Sequence, residues 1–585
     1  MQSAIEAHAR ALKRPFQSRR RGRKEPTVTA EQSRNEAKPA EPVGRVLSVH
    51  GSQASVGLFV GIPATKANEQ NDSPATVGKF LAIRRGQSLL VGVISDVSME
   101  VPVLAREDGY RAAASVDLMG EITDGEGGGR FARGVTQYPA IGDPAMLMSH
   151  RELQMIYEVQ APATIEVGHL QQDAAIAARV NVNEMLNKHF AVLGSTGVGK
   201  SSGIAFMLKT ILSARPDLRI FLLDGHNEYG HCFGDQALVL NPANLRLPFW
   251  LFTFDEMIEV LFSGRAGNDE EIEILAELIP IAKGLYSQLT ERPAVRRTDP
   301  KSTGFTIDTP VPYRLPDLMN LIDEQMGKLE HRASRMSYRR LMTRIETVSN
   351  DPRYAFMFEK ANVGGDTMAD TLRHLFRWRP DGKPMTIMQL AGFPSEVVDA
   401  VVSVLARMAF DFGLWSDGAI QLLFVCEEAH RYISADRSLG FQPTRWALSR
   451  IAKEGRKYGI FLGLVTQRPS ELDAMIISQC STLFAMRMAT DRDQDLVRAA
   501  VSDAAANLLP FLPSLGTREV LAFGPGVALP TRFKFPLLPP ELVPRSEAVS
   551  RGQLSADLAT EDQLIESVIE RWRGAATSKR LNAAG

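Results

Sequence analysis

Cysteine is scarce in this chain. Cys232, Cys426 and Cys480 are its only three, and they are widely spaced. That spacing excludes a disulfide framework or a cysteine-based zinc site and fits a reducing cytosol. Long apolar runs are missing too. None approaches the ~18 residues that a membrane helix needs. The N-terminus has no apolar core of a secretory signal, so the expected location is cytoplasmic, with no membrane contact. Neither sign of charge dominates, since 67 basic and 68 acidic residues leave a net charge of −1. The chain is therefore no polycation, and any nucleic-acid surface must be local, such as one face or a channel lining. A hydrophobic fraction of 44% and a charged fraction of 23% are ordinary for a globular protein. A length of 585 residues allows about two to four domains and a large core.

What is present is more specific. Gly194-Ser-Thr-Gly-Val-Gly-Lys-Ser201 spells the phosphate-loop pattern GxxxxGK[ST] in full. An apolar run, His189-Phe-Ala-Val-Leu193, precedes it and reads as a buried strand. Residues 202–212 read as the following helix. Strand, glycine turn and helix N-terminus aim several backbone N–H groups into one concavity suited to a polyphosphate. Its walls are Gly194, Ser195, Thr196, Gly197, Val198, Gly199, Lys200, Ser201 and Ser202. Lys200 is placed to reach the β- and γ-phosphates, and the Ser201 hydroxyl to ligate Mg²⁺.

The rest of the chain divides by composition. Residues 1–43 are rich in Arg, Lys, Glu, Pro and Gln and read as a disordered tail. Its cluster Arg19-Arg-Arg-Gly-Arg-Lys24 is either a DNA-contacting arm or a solvated tail, and the second reading is the commoner. Residues 44–168 carry short β-rich runs at 45–49, 54–60, 80–83, 88–94 and 145–148, which predict a small antiparallel barrel or sandwich. Asp124-Gly-Glu-Gly-Gly-Gly129 reads as a flexible loop between strands. From about 180 strands and helices alternate, with core strands expected at 189–193, 219–223, 386–390, 421–425, 460–465 and 482–487. Their near-continuous apolar character predicts a parallel sheet covered on both faces. The α/β core thus spans 169–250 and 381–535. A helical insertion occupies 251–380, and a C-terminal extension, 536–585, carries an amphipathic helix near 560–573.

Hydrolysis needs more than a phosphate loop. Gln421-Leu-Leu-Phe-Val-Cys-Glu-Glu-Ala-His430 brings two carboxylates to a strand's C-terminal end, where ligands sit in open α/β sheets. Glu427 is the candidate for Mg²⁺, through water, and Glu428 for orienting and polarising the attacking water. Asp224 and Glu228, after the next strand, either support that metal or water, or form a cap and a loop salt bridge. His226 reads as structural. Thr466 and Gln467, after another buried strand, are candidate γ-phosphate sensors, with a capping or turn role as the alternative. Arg456 and Lys457 follow a helix. They are either dipole partners or include an arginine finger reaching a neighbour's nucleotide.

In combination these blocks resemble the HerA family of hexameric ATPases, relatives of FtsK-type DNA translocases. The resemblance runs over most of 44–535. It rests on Lys188-His-Phe-Ala-Val-Leu-Gly-Ser-Thr-Gly-Val-Gly-Lys-Ser201, Glu427-Glu-Ala-His-Arg-Tyr432, and Glu454-Gly-Arg-Lys-Tyr-Gly459 followed by Thr466-Gln-Arg-Pro469. It implies a RecA-like P-loop ATPase core behind a HAS-type barrel, with ATP and Mg²⁺ as cofactors. It also implies Arg456 as a finger acting in trans and a role for Lys188 near the phosphates. The chain departs from the pattern at Asp224-Gly-His-Asn-Glu-Tyr229, where relatives tend to carry Pro and Gly at 225 and 227. The implied function is a homo-hexameric translocase or helicase on double-stranded DNA, working with a NurA-like nuclease in end processing. The alternative is a ring that scaffolds or activates a separate effector, a nuclease or sirtuin-like NAD-degrading enzyme, in anti-phage defence. In either case the partner docks on the N-terminal β domain. A third reading, a conjugation-type DNA pump, is disfavoured by the missing membrane segment.

Overall fold

A computed structural model describes residues 42–545 except 60–74, 100–108, 111, 126–127, 159–160, 263–268, 291–303, 329–331, 360–364, 379–381 and 502–505. Beyond 545 it describes only Ile565 and Ile569. The expected basic cluster at 19–24 and nearly all of the expected C-terminal helix lie outside the described residues.

Among the described residues seven strands come first: β1 (Gly44–His50), β2 (Gln53–Leu58), β3 (Phe80–Arg85), β4 (Ser88–Ser98), β5 (Ala112–Gly125), β6 (Gly128–Arg133) and β7 (Pro144–Leu147). They pair in the order β2-β1-β7-β3-β4-β5-β6, and an added β2–β5 pairing closes six of them into an antiparallel barrel. Closure removes the edges that a sandwich would leave unpaired. Val56, Leu81, Ile83, Leu90, Ile94 and Val116 fill the interior. Phe80, Ala82, Val91 and Val93 alternate with them and join the main core instead. The Gly-rich segment at 124–129 is not a free loop. Asp124 and Gly125 pair with Gly129 and Gly128, so these four residues lie in the β5–β6 ladder.

An eleven-stranded sheet follows, ordered β12-β13-β11-β14-β15-β10-β16-β17-β18-β8-β9. Its strands are β8 (Thr164–Leu170), β9 (Ala177–Asn181), β10 (Phe190–Leu193), β11 (Arg219–Asp224), β12 (Ala237–Leu240) and β13 (Met385–Gln389). They continue with β14 (Leu422–Cys426), β15 (Ile460–Thr466), β16 (Thr482–Ala485), β17 (Glu519–Phe523) and β18 (Thr531–Lys534). The seven strands from β12 to β16 in sheet order are parallel, and the rest pair antiparallel. β10, β14 and β15 are buried along their whole length, as their apolar runs require in a sheet covered on both faces. The position 168, read from sequence as the end of the barrel, falls inside β8, which already belongs to this second sheet.

The helices that position the site are α1 (Lys200–Ala214), α2 (Ser395–Trp415) and α3 (Gln442–Glu454). The described residues of 251–380 are mostly helical, with the longest helices at Asp269–Thr290, Leu315–Gly327 and Arg332–Ser349. It is fixed to α2 by a buried carboxylate. Glu256 accepts from Ser403 Oγ at 2.7 Å and Arg407 Nη2 at 2.9 Å. The barrel is held to the second sheet by Arg133, whose guanidinium donates to the carbonyls of Gly524 and Ala528, each at 2.8 Å, and of Val527. Asn507 Nδ2 adds a bond to Asp117 Oδ1 at 2.9 Å.

His189 ties β10 to its neighbours. It is buried at a left-handed φ of 57°. Its Nδ1 accepts from the Leu462 N–H at 2.9 Å, so Nε2 carries the proton and donates to the Ala452 carbonyl at 3.0 Å. Both nitrogens are used by the neutral ring, and burial pushes its pKa down from 6.5 to about 4. The unfolded chain therefore binds this proton at a higher pH than the folded one. Stability should rise with pH across this window and be lost as pH falls from 6.5 towards 4, by roughly 3 kcal/mol. His189→Gln should start from a lower thermal midpoint at pH 7 and lose less of it between pH 6.5 and 4. Parallel declines in the two proteins would contradict this account.

Candidate functional site

The phosphate loop leaves β10 at its C-terminal edge and enters α1. Gly197 and Gly199 take φ of 75° and 95°, which side-chain-bearing residues rarely adopt. Gly199 is the N-cap of α1, and the turn brings the first helical N–H groups into the loop's concavity. The loop is braced from both sides. Gly194 N–H donates to the Thr466 carbonyl at 3.3 Å and Ser195 N–H to the Arg487 carbonyl at 2.9 Å. Arg518 N–H donates to the Val198 carbonyl at 2.8 Å. Thr196 Oγ1 donates to Gln467 Oε1 at 2.5 Å, which joins the loop to the end of β15.

Lys200 Nζ turns back to the Ser195 carbonyl at 2.7 Å. Burial lowers its pKa, while Glu428, Glu427 and Glu228 oppose that shift. These carboxylates gather because β14 is separated from β10 only by β15. Glu427 is 4% exposed, and burial together with Asp224, Glu228 and Glu428 raises its pKa well above the usual carboxylate value. Its Oε2 is buried without an aligned hydrogen-bond partner, and the buried Tyr229 ring lies beside it and Ser201. A buried acceptor lacking a partner amid like charges is a fit place for a cation. Among the described residues no group of three or more His, Cys, Asp or Glu could hold a metal by itself. A Mg²⁺ here would draw on the Ser201 hydroxyl, Glu427, water and the nucleotide phosphates.

Asp224 is fully buried and both its oxygens are occupied. Oδ1 accepts from the Glu228 N–H at 3.0 Å and Oδ2 from the Tyr229 N–H at 2.9 Å. Of the two readings of Asp224, this geometry is that of a loop cap. Glu228 remains half-buried near Lys200.

Glu428 sits at a left-handed φ of 48°, strain that a non-glycine residue bears only when its surroundings impose it. Two histidines flank it. His226 Nε2 is 3.7 Å from Glu428 Oε1, and His430 Nδ1 is 3.3 Å from Oε2. His226, read from the sequence as structural, is exposed at the lip of the acidic cluster instead. His430 was missed as a site residue. Its sequence signal was its place two residues beyond Glu428, on the turn that follows β14.

Arg456 and Lys188 lie elsewhere. Both are exposed, and Arg456 Nη1 donates to the carbonyl of Asn187 at 3.3 Å, next to Lys188. That places them at the edge where β10 and β15 begin. The phosphate loop and Gln467 lie at the edge where those strands end. Seven residues of β15 separate Arg456 from Gln467, about 20 Å of strand. The chain brings Lys200, Thr196, Ser201, Glu427, Glu428 and Gln467 together. It does not bring Arg456 or Lys188 to its own phosphate loop.

Comparison with known proteins agrees with these blocks. The family described as the central domain of helicase HerA matches residues 165–409. The DNA double-strand break repair helicase HerA of Pyrococcus furiosus is 26% identical over 417 residues, covering 65% of this chain and 70% of the relative. Its counterpart in Saccharolobus solfataricus is 26% identical over 446 residues, covering 72% and 80%. The solved structure of VirB4 from Thermoanaerobacter pseudethanolicus overlays with a TM-score of 0.43 at 14% identity, covering 65% of this chain and 98% of that one.

Proposed function

Because the chain is a P-loop ATPase homologous to the HerA helicases, we propose that it is a DNA motor. In this reading a homo-hexameric ring hydrolyses ATP with Mg²⁺ to move along double-stranded DNA. One observation carries the proposal. The lysine, serine and paired carboxylates of the hydrolytic set converge at one strand edge, while Arg456 stands exposed at the opposite edge.

The chemistry follows from the placement. Lys200 leaves the Ser195 carbonyl to neutralise the β- and γ-phosphates. Mg²⁺, when bound, supplies charge neutralisation across those phosphates. Glu428 orients a water and takes its proton as the water oxygen bonds to the γ-phosphorus. The bond to the β,γ-bridging oxygen breaks, and ADP leaves with that electron pair. Thr196 and Gln467 meet beside the loop, where Gln467 can read the γ-phosphate. Arg456 serves a neighbour's nucleotide, since about 20 Å of strand keeps it from its own. Lys188, on the same edge, faces that neighbour too. DNA is tracked through its phosphates without sequence preference. A nuclease docked on the barrel completes the end-processing assembly.

Lys200→Ala tests the site. Hydrolysis should fall to background with the thermal midpoint within a few degrees of wild type. Full turnover in this variant would remove the phosphate loop from the chemistry. Among the described residues no helix is long and apolar enough to cross a membrane.

A further inference from the structure

The hydrolytic carboxylate and the candidate γ-phosphate sensor lie on different strands, and one side chain joins them. His430 Nδ1 is 3.0 Å from Thr466 Oγ1 and 3.3 Å from Glu428 Oε2. Thr466 Oγ1 also accepts from the Arg468 N–H at 3.0 Å, and its second lone pair remains for the ring N–H. Thr466 is fully buried, and its carbonyl receives the Gly194 N–H of the phosphate loop. Its neighbour Gln467 receives the Thr196 hydroxyl. A continuous chain of polar contacts therefore runs from the loop through the end of β15 to His430 and on to Glu428.

The ring nitrogen at the centre of this chain has two claimants. A neutral imidazole nitrogen either carries one proton or offers one lone pair. With the proton on Nδ1, the single N–H has two acceptors within reach; if it donates to Thr466 Oγ1, Glu428 Oε2 keeps its acceptor capacity. If Nδ1–H donates to Glu428, that oxygen is held and occupied. In this structure Glu428 Oε2 is buried without an aligned hydrogen-bond partner, so the ring N–H is engaged with Thr466 and that carboxylate oxygen is left without a donor. Two discrete arrangements of one ring are the kind of bistable element that a ligand can bias.

We propose that His430 is a positioning residue that transmits the state of the γ-phosphate sensor to the hydrolytic carboxylate, by exchanging its Nδ1 contact between Thr466 Oγ1 and Glu428 Oε2. This rests on the assignment of Glu428 as the group that orients the water. Nucleotide seen by Gln467 shifts the end of β15, moves Thr466, and frees or restrains Glu428. Hydrolysis is thereby withheld until the sensor is engaged.

The test uses the assembled full-length protein. It compares His430→Leu, His430→Asn, Thr466→Val and the His430→Leu/Thr466→Val double variant, with Glu428→Gln in parallel. Nucleotide affinity and thermal midpoint are measured beside kcat and KM. The proposal expects His430→Leu to lose about 10- to 100-fold in kcat, with Kd for ATP within about threefold and the midpoint unchanged. His430→Asn, whose amide returns a donor near Nδ1, should recover part of the loss. The double variant should be no slower than the slower single, because both act on one contact. Additive losses, or wild-type kcat in His430→Leu, would overturn it. If His430→Leu does not fold, the same cycle with His430→Asn and Thr466→Val decides by the same criterion. The parallel variant separates the two levels. Turnover surviving in Glu428→Gln removes the parent assignment. A silent Glu428→Gln beside an unaffected His430→Leu removes only this proposal.

Discussion

Replacing Glu428 by Gln should lower ATP turnover by about two to four orders of magnitude while leaving nucleotide affinity nearly unchanged. The amide keeps the volume and one carbonyl acceptor but cannot take a proton from the attacking water. Binding should survive because, in the proposed mechanism, the phosphates are held by the loop's backbone, Lys200 and Ser201, with residue 428 reaching them only through its charge beside Lys200. The backbone need not change either, since Glu428 already sits at a φ of 48°. The split between kcat and affinity is the informative part. A parallel loss of both would mean that Glu428 shapes the pocket and does not act on the water.

Arg456→Ala carries the second large effect. An arginine finger is worth roughly 10³- to 10⁵-fold in turnover. The arginine is exposed, and its side chain's only described hydrogen bond is a 3.3 Å contact to the Asn187 carbonyl, so its removal should leave the fold intact. Position supplies the sharper test. Arg456 stands at the start of β15 and the phosphate loop at the far edge of the same sheet, so the proposed finger has to come from a neighbouring subunit. Rings co-assembled from Arg456→Ala and Lys200→Ala subunits should regain activity, although each variant alone is silent. The regained sites are the interfaces where an intact loop meets an intact arginine. A mixed ring that assembles and stays silent would show that Arg456 does not act across the interface.

Much of this was legible because the chemistry is written in contiguous residues. The phosphate loop needs eight residues and a strand before it, and residues 189–201 contain both. The buried parallel strands announced themselves as apolar runs, since both of their faces are covered. Strands with one wet face or short runs were harder to read. β18, Thr-Arg-Phe-Lys, buries only its alternate residues, and β12 and β17 contribute four and five residues. The pairing of Asp124 and Gly125 with Gly129 and Gly128 was hidden by the glycines, which carry no strand signal. The role of Asp224 stayed open because only coordinates show both its oxygens filled by backbone N–H groups. His226 and His430 were harder still. Their significance is a distance to Glu428, and His430 reaches Thr466 across 36 residues of sequence.

Steady-state ATP hydrolysis by the assembled protein, with and without linear duplex DNA, tests the central claim most directly. The account predicts strong stimulation by DNA, weakening as salt rises and absent in Glu428→Gln. Turnover indifferent to DNA would contradict a DNA-driven motor and point to a ring whose hydrolysis licenses a separate effector.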